Sequence, residues 1–292
     1  MNPERRNVIV TAVVLGLIVL VAGWYVYAHS LAADLRAGDQ AIAAGRPDLA
    51  EAAFRRALTR DPDNERAMYG IGWAWHMAGE QDQAREAFQL LEQVHPESPL
   101  GYKGMGSVWM AGSNGKEAKA AWAKALEKAG TGPEAIKIEY DLAMLALQGK
   151  DGEAALSGFD DLLKTDVNRP EFHWGRAESL LKLKRLDEAL KEADEAVRCA
   201  GDDGSRYEAM ALVTRARTLS AVSGNRVDPK DCKGTAPPTY AWLAEADKDL
   251  DLAQSLGMDV PELPEARRTV LMQRSKVDDA CPGLRVLGAP VK

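Results

Sequence analysis

Residues that commonly bind metals or phosphate, or act as nucleophiles, are few in this chain and lie far apart. Its four histidines have no metal-ligand spacing to one another or to a cysteine. They occupy positions 29, 76, 95 and 173. Two glycine-rich segments, 101–106 and 112–116, differ from phosphate-binding loops because neither follows a strand and Glu117 replaces the expected Ser or Thr. No serine or cysteine has the local setting of a nucleophile. The sequence predicts a protein that is not an enzyme and that uses no cofactor and no metal.

Composition bounds the class of protein and of partner. Alanine, leucine, glutamate, lysine and arginine dominate most of the 292 residues, which favours an all-α fold. The net charge is −7, and because residues 1–30 contribute +1, the remainder carries −8. An acidic chain of this kind lacks the basic patch that nucleic-acid binding requires, so no nucleic-acid partner is expected.

Residues 8–28 form an uncharged apolar segment near the N-terminus. As a helix these 21 residues span about 31 Å, which matches a bilayer core of about 30 Å. Arg5 and Arg6 precede the segment, and Trp24, Tyr25 and Tyr27 lie at its far end, where aromatic rings favour the membrane interface. The pattern predicts a single transmembrane helix in a bacterial inner membrane, with a cytoplasmic N-terminus and a periplasmic remainder.

The competing interpretation of this segment is a cleaved signal peptide. Its cleavage site would be the sequence around Ala28, which is a poor match. Apolar regions of signal peptides usually run about 7–15 residues, and this one is longer. We therefore expect residues 1–30 to be a cytoplasmic stub and an uncleaved anchor, in contact with the lipid bilayer through residues 8–28.

Residues 65–98 contain a motif of small and large residues at helical spacing. Counted over 34 positions, the motif residues are Met68, Ile71, Gly72, Trp75, Gly79, Ala84, Phe88, Leu91 and Pro96, at positions 4, 7, 8, 11, 15, 20, 24, 27 and 32. The small residues at 8 and 20 let two helices approach closely, and Pro96 ends the second helix. This motif resembles the tetratricopeptide repeat, a pair of antiparallel helices.

The same frame recurs along the chain. We expect three clear repeats over 31–132 and two looser ones over 133–203, the latter after a three-residue insertion at 133–135. A divergent repeat with a capping helix follows over 204–277 and includes a long insertion at 223–239. Residues 278–292 are expected to form a tail. The predicted fold is all-α: an N-terminal transmembrane helix followed by a right-handed α-solenoid of about six such helix pairs plus a capping helix.

The resemblance implies a concave groove lined by positions 2, 5, 9 and 12 of the first helix of each repeat. Those positions predict partner-binding residues Arg66, Tyr69, Trp73 and His76 in the second repeat, Lys103 and Met110 in the third, and Glu171, Trp174 and Glu178 in the fifth. Trp73 and Trp174 are the expected anchors, because solvent-facing aromatic residues commonly mark interfaces. The alternative is that Trp73 packs on the membrane helix or the insertion, or is hidden by the curvature of the solenoid.

The three cysteines are too few for a disulfide framework. In an oxidising compartment Cys232 and Cys281 would be able to pair and join the terminal helices, leaving Cys199 free. The alternative is that all three are separate thiols.

Taken together, these patterns predict a non-catalytic scaffold or adaptor. It would be anchored in the inner membrane and would bind protein partners in the periplasm, as subunits of a membrane complex that it assembles or stabilises. The alternative is a periplasmic chaperone-like factor that presents client polypeptides, as in cytochrome c maturation. No small-molecule substrate is expected. An enzyme with a site in residues 223–239 would have to lose its activity when that segment is deleted.

Overall fold

The computed structural model describes residues 3–149, 151–201, 204–225 and 238–280. Within these residues there are helices and no strands. The helices are α1 Pro3–Ala43, α2 Pro47–Arg60, α3 Glu65–Met77, α4 Gln81–Val94, α5 Pro99–Ala111, α6 Gly115–Ala129, α7 Pro133–Gln148, α8 Gly152–Thr165, α9 Pro170–Lys182, α10 Leu186–Ala200, α11 Arg206–Asn225, α12 Pro238–Ser255 and α13 Leu263–Ala280. Six consecutive pairs and a terminal helix confirm the predicted all-α fold class.

The chain divides into two compact units. Unit 1 is Met1–Ile138 and unit 2 is Glu139–Lys292, so the boundary falls inside α7. In unit 1 each helix packs on the next along the chain from α1 to α6. In unit 2 the long helix α11 is central, because it packs on α9, α10, α12 and α13.

Helix α1 joins the apolar N-terminal segment to the first repeat without a break. It contains 41 residues and is about 61 Å long. Its side chains from Val13 to Tyr25 are exposed, and the helix is long and apolar enough to cross a membrane. The expected division near residue 30 is absent from the helix, since residues 29–37 contain neither glycine nor proline to end it.

Aromatic rings on the second helix of a repeat hold unit 1 together by filling gaps opposite glycines. The ring of Phe88 on α4 is fully buried between Gly72 of α3 and Gly104 of α5. A Cβ atom at Gly72 would lie 2.6 Å from this ring, and one at Gly104 would lie 2.3 Å from it. Phe54 packs in the same way between Gly38 and Gly70. Each ring therefore joins the two helices of its own repeat to the first helix of the next.

The predicted insertion at 133–135 is wrong. These residues form the first turn of α7, which begins at Pro133. Proline is favourable at this position because the first helical N–H groups have no partner within the helix and its φ angle already suits a helix. The first helix of the preceding repeat begins at Pro99, 34 residues earlier, so the regular frame leads to Pro133 and the assumed insertion hid this start.

Helix boundaries near the C-terminus also differ from expectation. The predicted insertion 223–239 is shorter, because α11 continues to Asn225 and α12 begins at Pro238. The predicted capping helix corresponds to α13, which includes residues 278–280 that were assigned to the tail. Cys232 and Cys281, the proposed disulfide pair, lie outside the described residues.

A buried ionic network links α9 and α10 in unit 2. The ring of His173 places Nδ1 2.9 Å from Glu192 Oε2 and Nε2 2.8 Å from the carbonyl oxygen of Val167. Because both neighbours accept hydrogen bonds, both ring nitrogens must donate, which requires the charged imidazolium. Arg176 forms an ion pair with the other oxygen of Glu192.

The network shifts the pKa of both partners. Burial acts to lower the pKa of His173, but hydrogen bonds to Glu192 and Val167 and the charge of Glu192 outweigh burial, so the pKa is raised. Burial acts to raise the pKa of Glu192, but the hydrogen bond from His173 and the charge of Arg176 leave it lowered.

We expect the network to make the stability of unit 2 depend on pH. A raised folded-state pKa means that His173 contributes its full stability below the unfolded value of about 6.5 and loses it as pH rises through the folded value. Replacement His173→Gln should cost about 1.5–3 kcal/mol at about pH 6, and less at higher pH. Urea unfolding at about pH 6 and about pH 8.5 measures the difference, with His95→Gln as the matched control. An equal cost at both pH values would contradict a charged His173.

Candidate functional site

The first helices of the repeats in unit 1 line an open cavity of about 480 Å³, here named the unit 1 groove. Its residues come from the end of α1, from α3 and α5, and from the start of α7, with Phe54 of α2 beneath them. Its lining residues are Asp39, Ile42, Phe54, Arg66, Tyr69, Gly70, Trp73, Leu100, Lys103, Glu134 and Lys137.

Three aromatic rings run along the groove face of α3. Tyr69, Trp73 and His76 follow one another at helical spacing, so their rings lie on one face. The rings of Tyr69 and Trp73 stack with centroids 6.2 Å apart, and those of Trp73 and His76 are 5.1 Å apart. Tyr69 also contacts the buried ring of Phe88 at 5.6 Å. All three of the α3 side chains are half-buried, so this aromatic strip keeps a partly exposed apolar face.

Charged side chains flank the strip as ion pairs. Arg66 pairs with Asp39, and Lys103 Nζ lies 2.6 Å from Glu134 Oε1. Lys137 Nζ lies 3.0 Å from the other oxygen of Glu134. Burial acts to raise the pKa of Glu134, but the hydrogen bonds and charges of the two lysines outweigh burial and lower that pKa. The charged side chains of the groove are therefore largely paired with one another, and the half-buried rings of Tyr69 and Trp73 lie among them.

The structure brings four of the predicted residues together in unit 1. Those four, which line the groove, are Arg66, Tyr69, Trp73 and Lys103. His76 lies at the end of the strip, where its Nδ1 is 2.9 Å from Gln81 Oε1. Met110 is half-buried on α5 and is not part of the groove lining. Their role in binding stays a prediction.

Sequence analysis missed the two walls of this groove. Asp39 and Ile42 belong to α1, and Glu134 and Lys137 belong to the first turns of α7. Pro133, followed by Glu134, is a recognisable signal for the start of a helix. Placing an insertion there concealed it.

The predicted residues of unit 2 lie on α9 and are more buried than expected. Trp174 is only 9% exposed, and its Nε1–H donates to Thr214 Oγ1 of α11 at 3.0 Å. The expectation of a solvent-facing indole is wrong here because α11 covers it. Glu171 is also buried and accepts a hydrogen bond from Arg169 Nε at 2.7 Å.

One edge of Trp174 nevertheless faces a second cavity of about 630 Å³, here named the unit 2 cavity. It lies between α7, α9, α11 and the start of α13. Its lining residues are Met144, Leu147, Gln148, Trp174, Glu178, Leu181, Lys182, Arg217, Ala221, Glu262, Glu265, Ala266 and Thr269. Two predicted residues, Trp174 and Glu178, therefore meet at this cavity.

Metal binding has no support in the described parts of the chain. No group of three or more His, Cys, Asp or Glu side chains there has the arrangement of a metal site. Cys199 is a half-buried free thiol among those residues, and burial raises its pKa.

Comparison with known proteins defines the class. The family model described as tetratricopeptide repeat matches residues 35–99 and 140–204. Helix pairs with aromatic rings opposite glycines occur in both matched segments, at Phe88 in the first and at Phe159 against Gly175 in the second. These two segments therefore carry tetratricopeptide repeats, and the chain has the fold of a protein-interaction scaffold.

Several solved structures share this fold. Pseudomonas aeruginosa pilF is 17% identical, with 83% of this chain and 98% of that chain covered and a TM-score of 0.60. PilW, named a widely conserved type IV pilus biogenesis factor, is 16% identical over 78% of this chain and 96% of that one, also with a TM-score of 0.60. A thermophilic tetratricopeptide repeat protein of Thermus thermophilus is 24% identical over 66% and 98%, with a TM-score of 0.53. No curated protein sequence matched. Identities this low show the fold alone.

Proposed function

We propose that this protein is a non-catalytic scaffold that is anchored in the bacterial inner membrane through residues 8–28. Its repeats lie in the periplasm, where the unit 1 groove binds a segment of a membrane-complex subunit and helps to assemble or stabilise that complex. The aromatic strip of Tyr69, Trp73 and His76 is the observation that carries the proposal.

The strip suits an apolar segment of a partner. Tyr and Trp are the commonest anchors of protein interfaces, and here they are half-buried, stacked and therefore already ordered before a partner arrives. The ion pairs of Arg66, Lys103 and Lys137 surround the strip and supply a polar rim. A helix or an extended segment with a few apolar side chains fits this combination.

Helix α1 supports a partner that also lies in the membrane. Asp39 and Ile42 line the groove and belong to the same helix as the apolar segment, about 17–21 Å beyond its last residue at 28. A site this close to the bilayer has a high effective concentration for membrane proteins. PilW, a type IV pilus biogenesis factor, is a protein of similar fold.

Replacing Trp73 tests the proposal. We expect Trp73→Ala to weaken capture of the partner by about 30-fold or more, because truncation of an aromatic anchor commonly costs at least about 2 kcal/mol. The measurement is affinity purification of the full chain from membranes in mild detergent, with quantification of every co-purifying protein. Leu90→Ala is the matched control, because Leu90 is 52% exposed on α4 and lies outside the groove.

The outcomes separate three interpretations. A fixed set of membrane subunits that is lost with Trp73→Ala and kept with Leu90→Ala supports the scaffold. The same set retained by Trp73→Ala but lost on removal of residues 1–30 would assign the contact to the apolar helix and overturn the groove. A diffuse set of exported polypeptides would favour the chaperone-like alternative.

A further inference from the structure

Helix α13 is a first helix that has no second helix within the described residues. The first helices α9 and α11 are each followed in sequence by a second helix, α10 or α12, which turns back and packs on them. Helix α13 packs on α11 and α12 of the preceding pair. One of its faces is therefore left without the neighbour that α9 and α11 have.

Ion pairs show which face of α13 meets the preceding second helix, α12. Arg267 Nη1 lies 2.9 Å from Asp251 Oδ1, and Arg274 Nη1 lies 2.6 Å from Asp247 Oδ2. The two arginines are seven positions apart, which is about two turns of an α-helix, so they lie on one face. This face of α13 is turned towards α12.

Helix α3 provides the register for the other faces of α13. Its Ala67 and Ala74 are also seven positions apart, and they pack in one cluster with Phe54 of the preceding second helix, α2. Aligning these alanines with the two arginines gives α13 the numbering of the repeat motif. Positions 4, 7, 8 and 11 of α13 are then Arg268, Leu271, Met272 and Ser275.

Positions 7 and 8 are covered in α3 and open in α13. In α3 they are Ile71 and Gly72, both buried, and Gly72 lies against Phe88 of its own second helix. In α13, Leu271 is 55% exposed and Met272 is 51% exposed. The face that a second helix covers in α3 thus carries two large apolar side chains in contact with water, and covering them is favourable.

We propose that residues 281–292 of this chain pack across α13 in the place of the missing second helix and cover Leu271 and Met272. The segment follows α13 directly, as the second helices follow α9 and α11. From Ala280 to Met272 the distance along the helix is about 12 Å, and twelve residues of extended chain span about 40 Å, so the segment is long enough to reach this face.

The composition of this segment suits an extended chain rather than a helix. Two prolines and two glycines in it oppose a helix. Met272 favours the same occupant, because a large side chain at position 8 prevents the close approach of a second helix that Gly72 allows in α3. With the segment in place, the last apolar face of the repeats is closed to a second copy of the chain. The apolar side chains that make the contact are Leu284, Val286, Leu287 and Val291.

Oxidation of methionine by hydrogen peroxide tests this contact, because the reaction is faster at an exposed sulfur. We expect Met272 of the full chain in detergent to oxidise about fivefold or more slowly than in a variant that ends at Ala280, since the segment then covers it in about four-fifths or more of the molecules. Full-length Leu284→Ser/Leu287→Ser should lose this protection as well. Met77, which is exposed on α3, is the internal control and should oxidise at one rate in all three proteins. Peptide mass spectrometry measures each rate, and the melting temperature shows that each protein is folded.

Three results would overturn the proposal. Equal oxidation of Met272 in the full chain and in both variants would show that residues 281–292 do not cover this face. Protection that persists in Leu284→Ser/Leu287→Ser would exclude the apolar contact. Protection that the variant ending at Ala280 retains, and that disappears on dilution as dimers dissociate in sedimentation velocity, would assign the face to a second copy of the chain.

Discussion

Phe88→Ala should be the most damaging single truncation in unit 1, with an expected loss of about 3–5 kcal/mol in the free energy of unfolding. The ring is fully buried between Gly72 and Gly104. Because both glycines lack a side chain and lie within helices, neither can supply atoms to the space that the ring leaves. The cost should therefore fall at the upper end of the range. Denaturant unfolding followed by circular dichroism measures the loss, with Leu90→Ala, on the same helix, as the control.

Because Phe88 fits closely against Gly104, we expect the effects of substitutions at these two positions to depend on each other. Gly104→Val alone should destabilise unit 1, because its Cβ atom would lie 2.3 Å from the ring and Gly72 leaves the ring little freedom on the other side. In the Phe88→Ala background the added side chain enters the empty space instead, and Gly104→Val should become neutral or stabilising. Strictly additive losses in the double variant would contradict the proposed packing.

Asp249→Ala should be the most damaging change in unit 2, at about 3–5 kcal/mol. Asp249 on α12 is 3% exposed and pairs with Arg215 of α11 through two hydrogen bonds of 2.7 and 2.5 Å. Removing the carboxylate leaves a largely buried guanidinium whose remaining carboxylate partner, Asp194, is 3.5 Å away. The melting temperature of the full chain measures the effect.

Two further variants show whether the large cost of Asp249→Ala is caused by burial of the ion pair. Asp251→Ala also removes an ion pair, to Arg267, but Asp251 is 72% exposed, so its loss should cost less than about 1 kcal/mol. The double variant Arg215→Met/Asp249→Leu replaces the buried pair by apolar side chains and should recover most of the stability. An equal effect of Asp249→Ala and Asp251→Ala would show that burial does not set the cost.

The repeated helix pairs could be predicted from sequence because the signal is local. Gly72 and Phe88 lie in one repeat, and their types and spacing follow directly from the close approach of α3 and α4. Gly70 and Gly104 each lie two positions before the glycine at position 8 of their repeat. They were an additional signal of the fold that was not used. They exist because the ring of the preceding repeat occupies the space of their side chains.

The site could be predicted only in part, because its contacts join distant segments. Tyr69 and Trp73 both line the unit 1 groove, because they lie on one face of a single helix, and their role in binding stays a prediction. The burial of Trp174 depends on Thr214, which lies 40 positions later in a divergent repeat and has no fixed place in the repeat pattern. Ion pairs such as Lys103 with Glu134 depend on where α7 begins, and the assumed frame misplaced that start.

The unbroken course of α1 has a directional consequence. Eighteen residues of an α-helix make about five full turns, so side chains separated by eighteen positions point the same way around the axis. Asp39 and Ile42 on the groove wall therefore lie on the same side of the helix axis as Val21 and Trp24 in the apolar segment. For a chain anchored as proposed, the side of the membrane helix that carries Val21 and Trp24 marks the direction in which the groove wall faces. A partner crossing the bilayer on that side would have its emerging segment aligned with the groove, whereas a partner on the opposite side would have to cross over the helix to reach it.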